Sequence, residues 1–217
     1  MNAIQVTLID YGIGNLYSVR RALETCGAEV SLTSEPAGID AAERLVLPGV
    51  GAFADGMRGL RERGLVEPLQ RYAASGRPLL GICLGMQMFA SVSHEFGEHV
   101  GLGLIPGRVV PVPDTTTDGQ RQKIPHVGWS ALTPAPTAAW QQTPLQDTAP
   151  GTSAYMVHSY HVIPNDSSCL LAHCEYGGHR ITAAIGSGRC FGFQFHPEKS
   201  GPQGLRMLAA FLRTAAC

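Results

Sequence analysis

The feature that most constrains this chain is a cysteine placed between two glycines directly after an apolar run. Residues 78–82 are typical of a short buried strand, and Gly81-Ile82-Cys83-Leu84-Gly85 has the pattern of a sharp turn from that strand into a helix. Such a turn holds a nucleophile at the end of a strand, and its glycines let neighbouring backbone pass close by. Cys83 is therefore the first candidate for a reactive group.

The first half of the chain alternates apolar strand patterns with helical patterns. Strands are predicted at residues 4–9, 28–32, 44–47 and 78–82, and helices at 16–23, 53–72 with a break at Gly64, and 84–90. Strands that alternate with helices pair in parallel through right-handed crossovers. The fold class predicted is α/β, with an open, mixed, mostly parallel sheet flanked by helices.

The second half changes character and contains mainly strand patterns separated by turns. We expect strands at residues 109–112, 123–132, 155–163, 170–176, 180–185 and 190–195, followed by a helix over 205–212. This spacing predicts an antiparallel extension of the sheet. Residues 133–151, rich in Pro, Thr, Ala and Gln, are most simply a long surface loop, and we treat residues 1–217 as a single domain.

A candidate base and its partner follow the last predicted strand. The sequence continues from this strand into His196-Pro197-Glu198, so His196 is expected at a strand end, where open α/β sheets place their sites. Glu198, two residues later, can turn back and orient the imidazole ring. Cys83, His196 and Glu198 thus predict a nucleophile, a base and an orienting acid, although His-Pro-Glu in isolation would be read as a surface turn.

Two further groups could support thiol chemistry. Pro48-Gly49-Val50-Gly51 follows the third predicted strand and can present N–H groups to a developing oxyanion, with Leu84 N–H as a second donor. Gln87 lies one helical turn after Cys83 and faces either the pocket or solvent. A helix N-terminus and a nearby imidazole both favour the thiolate form of a cysteine.

Two other motifs are rejected. Gly12-Ile13-Gly14-Asn15-Leu16-Tyr17 resembles a dinucleotide-binding fingerprint, but Tyr17 occupies the third glycine position. His158, His161 and His173 could suggest a metal site. However, strand alternation would place His158 and His161 on opposite faces, and no carboxylate or cysteine completes a ligand set. We expect no metal and no cofactor.

Composition narrows the class of protein further. A net charge of −1 argues against nucleic-acid binding, and the absence of a long apolar run argues against membrane insertion. The N-terminal residues lack a secretory pattern, and the six cysteines contain no Cys-x-x-Cys pair. A cytoplasmic location with reduced thiols is expected, in which the cysteines other than Cys83 have no chemical role.

Taken in order along the chain, these motifs resemble the class I (triad) glutamine amidotransferases. Nearly the whole chain is similar to one branch of that class, the glutaminase subunits of bacterial imidazole glycerol phosphate synthases. The matching segments are Asp10-Tyr11-Gly12-Ile13-Gly14-Asn15-Leu16, residues 47–53, residues 81–87, Lys123-Ile124-Pro125-His126-Val127-Gly128-Trp129, residues 155–160 and residues 191–200. The nucleophile and His-Pro-Glu motifs are shared by the class, whereas the first and fourth segments distinguish this branch.

The resemblance implies a reaction and a partner. Glutamine would be hydrolysed to glutamate and ammonia, and the ammonia would pass to a cyclase subunit with a (β/α)8 barrel, as a heterodimer. That partner would make imidazole glycerol phosphate and aminoimidazole carboxamide ribotide in histidine biosynthesis. The substrate implied for this chain is L-glutamine.

The resemblance also implies roles for individual residues. Val50 would be an oxyanion donor, after a flip of its loop, beside Leu84. Glutamine would be held by Gly49, Gly51, Gln87, Ser159 and Tyr160. Asn15, Trp129 and Tyr155 would lie at the cyclase interface, although Trp129 and Tyr155 could instead be core aromatics.

Three alternatives stay open. One is a glutaminase subunit of another class I amidotransferase, serving pyridoxal phosphate or anthranilate synthesis, against which residues 123–129 argue. Another is a catalytically silent scaffold that binds a partner through the same surface. A cysteine peptidase is disfavoured because nothing in the sequence indicates an extended substrate groove.

Overall fold

Strands and helices alternate up to Gln87, and strands predominate after it. The computed structural model describes residues 3–136 and 138–214. The strands are β1 Ile4–Ile9, β2 Ala28–Thr33, β3 Leu45–Gly49, β4 Leu79–Cys83, β5 Val92–Ser93, β6 His99–Val100, β7 Gly107–Pro111, β8 His126–Ala131, β9 Thr133–Pro134, β10 Ser153–His158, β11 Tyr160–Pro164, β12 Leu170–Tyr176, β13 His179–Ser187 and β14 Cys190–Phe193. The helices are α1 Leu16–Thr25, α2 Pro36–Ala41, α3 Phe53–Glu62, α4 Val66–Ala74, α5 Leu84–Gln87 and α6 Gly201–Leu212, and short 3-10 helices cover Ser167–Cys169 and Pro197–Lys199.

The main sheet has eight strands in the order β2-β1-β3-β4-β14-β13-β12-β9. The strands from β2 to β14 run parallel to their neighbours, and β13, β12 and β9 continue the sheet with antiparallel pairing. The predicted α/β fold, with an open, mixed and mostly parallel sheet flanked by helices, is confirmed.

Strand alternation divides the core between the two faces of this sheet. In β1, Val6 and Leu8 pack with α1 and α6 on one face, while Ile9 packs with α2, α3 and α4 on the other. The same alternation separates Val46 from its neighbours in β3. Because successive side chains in a strand point to opposite faces, a fully apolar strand needs helices on both sides. Such a sheet fixes the strand ends firmly.

Three neighbouring strands end at the same edge of the sheet. Gly49 at the end of β3 pairs with Cys83 at the end of β4, and Phe193 at the end of β14 pairs with Ile82. Parallel strands present their carboxyl ends together, which is where open α/β sheets bind ligands. The glycine loop after β3, Cys83 and the residues after β14 therefore meet in space.

The second half extends the main sheet less than the sequence indicates. Among the described residues, the antiparallel strands added to it are β12, β13 and the short β9. The others form a four-stranded sheet in the order β11-β7-β5-β6 and a two-stranded sheet of β10 and β8. Strand patterns alone do not specify which strands pair, because pairing depends on contacts far apart in sequence.

The prediction of one strand over residues 155–163 is wrong. Two strands, β10 and β11, occupy this stretch, and they pair with β8 and β7 in different sheets. Ser159 lies between them, and its carbonyl accepts a hydrogen bond from Val112 N–H. The strand predicted at 123–132 begins only at His126, since Pro125 has no N–H for a ladder.

Residues 133–151 are not simply a surface loop. Thr133–Pro134 is β9, and Leu145 is fully buried. The Trp140 side chain is 7% exposed, and its indole N–H donates to the Leu171 carbonyl at 2.8 Å. This segment therefore covers the outer end of the main sheet with apolar side chains. Its Pro- and Thr-rich composition did not predict this packing.

Several smaller elements also differ from the sequence prediction. The break at Gly64 is confirmed, but α2, β5 and β6 are not predicted, and the helix after Cys83 is regular only to Gln87. Among the described residues no helix has the length and apolar character needed to span a bilayer. The thiols of Cys26, Cys83, Cys169, Cys174 and Cys190 are free, and Cys217 lies outside the described residues.

We expect Trp140→Ala to lower the free energy of unfolding by about 3–5 kcal/mol, because it removes a large buried side chain and leaves a cavity. Urea denaturation measures the loss. The neighbouring Gln141→Ala is the matched control, since Gln141 is exposed and should change stability by about 0.5 kcal/mol or less. Equal, small effects of both substitutions would show that this segment does not pack as described.

Candidate active site

Cys83 has a strained backbone at the point where β4 becomes α5. Its φ is +54° and its ψ is −110°, a combination that side-chain-bearing residues rarely adopt. A residue in such a region costs about 1–3 kcal/mol and persists only when its surroundings enforce it. The turn places the Cys83 side chain at the sheet edge, as the sequence pattern predicts for a nucleophile.

The flanking glycines are required by close backbone contacts. A Cβ atom on Gly85 would lie 1.9 Å from the Leu47 carbonyl oxygen, and one on Gly81 would lie 2.7 Å from Met86 N. Both distances are far below van der Waals contact. Glycine at these positions thus lets α5 pack directly against β3 and β4, which fixes the strained turn between them.

His196 and Glu198 meet Cys83 at this edge. The His196 Nδ1 atom lies 2.8 Å from Glu198 Oε1, and Cys83 lies close enough to the imidazole to raise its pKa. The side chains of His196 and Glu198 are only 3% and 1% exposed. The structure therefore assembles, in order, a thiol, an imidazole and a buried carboxylate.

The backbone of His196 is held by strand β10. His196 N–H donates to the Tyr155 carbonyl at 3.0 Å, and Ser200 Oγ donates to the His196 carbonyl at 2.7 Å. Ser200 Oγ also accepts from Tyr155 N–H at 2.9 Å. The sequence did not single out Ser200, whose position four residues after His196 in the closing turn was the available signal.

The electrostatics identify His196 as the protonated imidazole of this region. Burial alone would lower its pKa, but hydrogen bonds and charge interactions with Cys83 and Glu198 raise the pKa of His196 to about 9. Burial lowers the pKa of His158 to about 3 and that of His161 to about 4. At neutral pH the arrangement thus favours an imidazolium at His196 and neutral rings at the other two.

A cavity of about 390 Å³ opens above the sulfur, a size suited to a small ligand. Its walls come from the three strand ends, the start of α5 and the β10–β11 corner: Val50, Gly51, Cys83, Leu84, Gln87, Glu95, Pro125, Val157, His158, Ser159, Tyr160, His196 and Lys199. The predicted oxyanion donors and all but one of the predicted substrate-binding residues line it.

Gly49 is the one predicted substrate-binding residue that does not line the cavity. It lies at the end of β3, where a Cβ atom would be 2.5 Å from the Tyr11 hydroxyl and 2.9 Å from Leu84 Cβ. Tyr11 in turn donates to the Pro48 carbonyl at 2.8 Å. Gly49 therefore allows β3, Tyr11 and α5 to pack together and positions the loop that carries Val50.

Glu95 is a cavity residue that the sequence analysis missed. It lies between β5 and β6, is buried, and accepts a hydrogen bond from Phe53 N–H at 2.6 Å through Oε2. A buried carboxylate needs a positive partner or several hydrogen bonds. Nothing in the sequence around Glu95 indicated that its side chain is buried, because it turns inward only when β5 and β6 form their hairpin.

Gln194 is a second missed residue. It is fully buried between Phe193 and Phe195, and its Nε2 lies 3.7 Å from the Cys83 sulfur. Strand alternation was the available signal, since Gln194 shares the parity of His196 and opposes the two phenylalanines, whose rings stack at 4.6 Å.

The three predicted interface residues lie at or near the surface. The Trp129 side chain is 58% exposed and packs edge-on against Tyr155, with ring centroids 6.0 Å apart. Trp129 is therefore not a core aromatic. Asn15 is half-buried and caps α1 by accepting from Ser18 N–H at 3.4 Å, so it has a structural role of its own.

Metal ligation is not built into the described part of the chain: no three His, Cys, Asp or Glu side chains converge there on a common point. The expectation that His158 and His161 face opposite sides of one strand is wrong in its premise, because they belong to β10 and β11.

Comparison with known families agrees with this geometry. Residues 7–215 match the model of the family described as glutamine amidotransferase class-I. The chain belongs to this family. The class I amidotransferase fold is also seen in solved structures: a chain of the PurLQS structure from Thermotoga maritima has a TM-score of 0.73 at 18% identity, covering 97% of this chain and 98% of that one.

Curated relatives within the amidotransferase family are much closer in sequence. The imidazole glycerol phosphate synthase subunit HisH 1 of Legionella pneumophila (strain Lens) is 49% identical over 209 residues, covering 96% of this chain and 98% of the relative. The subunit HisH of Syntrophotalea carbinolica is 46% identical over 210 residues, covering 95% and 98%. The chain therefore belongs to the HisH branch of the class I amidotransferases, the branch expected from the sequence motifs.

We expect Cys83→Ala to lower the pKa of His196 from its native value of about 9, because the hydrogen bond and charge interaction with the sulfur both raise it while burial opposes them. NMR titration of ¹³C-labelled histidine measures the shift. Cys190→Ala, which removes a buried thiol at the opposite end of β14, is the control and should leave His196 unchanged. An unaltered titration in Cys83→Ala would contradict the coupling.

Proposed function

We propose that this protein hydrolyses L-glutamine to glutamate and ammonia as the glutaminase subunit of an imidazole glycerol phosphate synthase in histidine biosynthesis. The observation that carries the proposal is the convergence of Cys83 and the hydrogen-bonded His196–Glu198 pair at the wall of a small cavity. The 49% identity to a HisH subunit favours this synthase over amidotransferases of other pathways. We also propose that the whole chain forms one glutaminase domain.

In the proposed reaction, the Cys83 thiolate attacks the side-chain amide carbon of glutamine, and the His196 imidazolium gives its proton to the leaving nitrogen. Ammonia departs and a glutamyl thioester forms on the sulfur. The now neutral His196 takes a proton from water, which attacks the thioester. Glutamate leaves, and the thiolate and imidazolium are regenerated. Glu198 holds the ring in place and stabilises its positive charge throughout.

The negative oxygen that develops in both steps needs N–H donors. We assign these to Val50, on the loop after β3, and to Leu84, the first residue of α5. Both line the cavity with Cys83, and Val50 is 40% exposed on a loop whose next residue, Gly51, has a φ of +92°. A loop of this kind can reorient its peptide groups. This supports the proposal that the Val50 N–H turns towards the oxyanion when the enzyme is activated.

The remaining cavity groups suit the amino-acid end of glutamine. The Glu95 carboxylate supplies a negative charge for the α-ammonium group, while Gly51, Ser159 and Tyr160 also line the cavity. Gln87 donates through Nε2 to the Tyr160 carbonyl at 3.0 Å, which leaves its Oε1 to accept from the substrate. The assignment of Glu95 adds a charged contact to those expected from the sequence.

We propose that a cyclase subunit with a (β/α)8 barrel binds beside this site as the partner in a heterodimer in the cytoplasm. Val127 and Trp129 are 50% and 58% exposed on one face of β8, an unusual exposure for large apolar side chains. Tyr155 links this surface to the site, since its carbonyl accepts from His196 N–H. Asn15 completes the proposed interface, and no cofactor is assigned.

Cys83→Ala should abolish glutamine hydrolysis, with residual ammonia release at the uncatalysed rate, because none of the other residues that line the cavity carries a thiol. The test is glutamate production with and without the cyclase subunit, together with a pull-down showing that the complex still forms. Cys26→Ala is the matched control: its thiol donates to the Leu205 carbonyl away from the cavity, and full activity is expected. Activity retained in Cys83→Ala would refute the proposal.

Glu95→Gln should raise KM for glutamine by about ten-fold or more, because it removes the charge opposite the α-ammonium group. A glutamine side chain can still accept from Phe53 N–H, so the fold of the hairpin should survive. Steady-state kinetics of the complex gives KM and kcat. Glu98→Gln changes an exposed carboxylate of the same hairpin and should leave both constants unaltered. Equal kinetics for the two variants would remove Glu95 from the substrate site.

A further inference from the structure

The buried side-chain amide of Gln194 approaches the sulfur of Cys83. Gln194 is fully buried, and its Nε2 lies 3.7 Å from Cys83 Sγ, within reach of an N–H···S hydrogen bond. Its Oε1 accepts from Gln87 Nε2 at 3.1 Å. The two polar atoms of this amide therefore bond to the side chains of Gln87 and Cys83.

The orientation of the Gln194 amide is fixed by a backbone carbonyl two contacts away. Gln87 Nε2 also donates to the Tyr160 carbonyl at 3.0 Å, and His158 Nδ1 reaches the same oxygen at 2.8 Å. A carbonyl oxygen can only accept, so Gln87 must turn its NH₂ group towards Tyr160 and towards Gln194. Gln194 must then present its oxygen to Gln87 and its NH₂ group to the sulfur.

This polarity matters because the sulfur changes charge during the reaction. A thiolate is a strong hydrogen-bond acceptor, whereas a thiol or a thioester sulfur is a weak one. A donor fixed in place therefore stabilises the thiolate before it attacks, and again when it leaves as the thioester is hydrolysed. The donor costs little reorganisation, since Gln194 is already held by Gln87.

We propose that Gln194 is a catalytic residue that donates to the Cys83 thiolate and aims it into the cavity, with Gln87 and the Tyr160 carbonyl setting its direction. This inference rests on the proposed function for its kinetic consequences, but the hydrogen bond to the sulfur exists independently of the substrate. Gln87 thereby has two roles, one towards the substrate and one towards the nucleophile.

Ionisable groups of several elements also bear on the sulfur. They are His196 and, through it, Glu198 after β14, Tyr11 after β1, Glu95 between β5 and β6, His158 at the end of β10, and Lys199 on the cavity wall. Burial and the nearby Cys83 raise the pKa of Tyr11, so its hydroxyl stays protonated. None of these groups changes when Gln194 is replaced by a neutral side chain, so a difference between variants reports the amide alone.

The test is Gln194→Met, which preserves volume approximately and cannot donate. Alkylation of the full-length protein by iodoacetamide is followed across pH by mass spectrometry of the peptide that contains Cys83. We expect the midpoint of alkylation to rise by about one pH unit, which is about a ten-fold loss of thiolate at lower pH. In the complex with the cyclase subunit, kcat should fall by about ten-fold with KM changed by about threefold at most.

The control is Gln70→Met. Gln70 donates to the Leu102 carbonyl at 2.9 Å from α4, outside the site, and its loss should move neither the midpoint nor kcat. Gln87→Met provides a second variant if Gln194→Met fails to fold. It leaves Gln194 in place without its anchor, and a smaller upward shift of the midpoint is expected together with a higher KM.

An alkylation midpoint unchanged in both Gln194→Met and Gln87→Met would overturn the inference, even if activity fell, because a purely structural role predicts no change at the thiol. Failure of the proposed function looks different. In that case the midpoint still shifts while Cys83→Ala retains glutamine hydrolysis or the unaltered protein shows none.

Discussion

The strained turn at Cys83 is the constraint on which the other features of the site depend. A φ of +54° costs about 1–3 kcal/mol, comparable to the burial of one or two large apolar side chains. The two faces of the main sheet bury many such side chains around β3 and β4, and their burial offsets the conformational cost at Cys83. Gly81 and Gly85 then allow the close approach of α5 that prevents the turn from relaxing.

Beside this turn, the buried carboxylate of Glu198 is compensated by the charge of His196. The Glu198 side chain is 1% exposed, and an anionic carboxylate so deeply buried requires a nearby cation. His196 supplies that cation at 2.8 Å from the Glu198 carboxylate. Because burial keeps His158 and His161 neutral, positive charge is concentrated on His196, which lines the cavity with Cys83 and contacts the Glu198 carboxylate.

The sequence predicted the parts of the site that are encoded locally. Gly-x-Cys-x-Gly specifies a turn through its own backbone requirements, and His196-Pro197-Glu198 places a ring and its carboxylate within two residues of each other. Contacts that depend on distant pairing were not predictable in this way. Glu95 enters the cavity only because β5 and β6 form a hairpin against α3, and residues 155–163 divide at Ser159 because β10 and β11 find partners in different sheets. The burial of Trp140 was not predicted because the composition of the surrounding sequence is polar.

Gln194 lies between these two cases, since alternation along the strand predicted at residues 190–195 could have identified it but its partner Gln87 belongs to α5. In the proposed mechanism, the sulfur of Cys83 carries the acyl group of glutamine during turnover. Acid quenching of the cyclase complex during hydrolysis of ¹³C-labelled glutamine, followed by peptide mass spectrometry, tests it directly. A labelled glutamyl thioester on the peptide that contains Cys83 is the result expected. A label on a different cysteine, or turnover with no covalent adduct at any time of quenching, would contradict it.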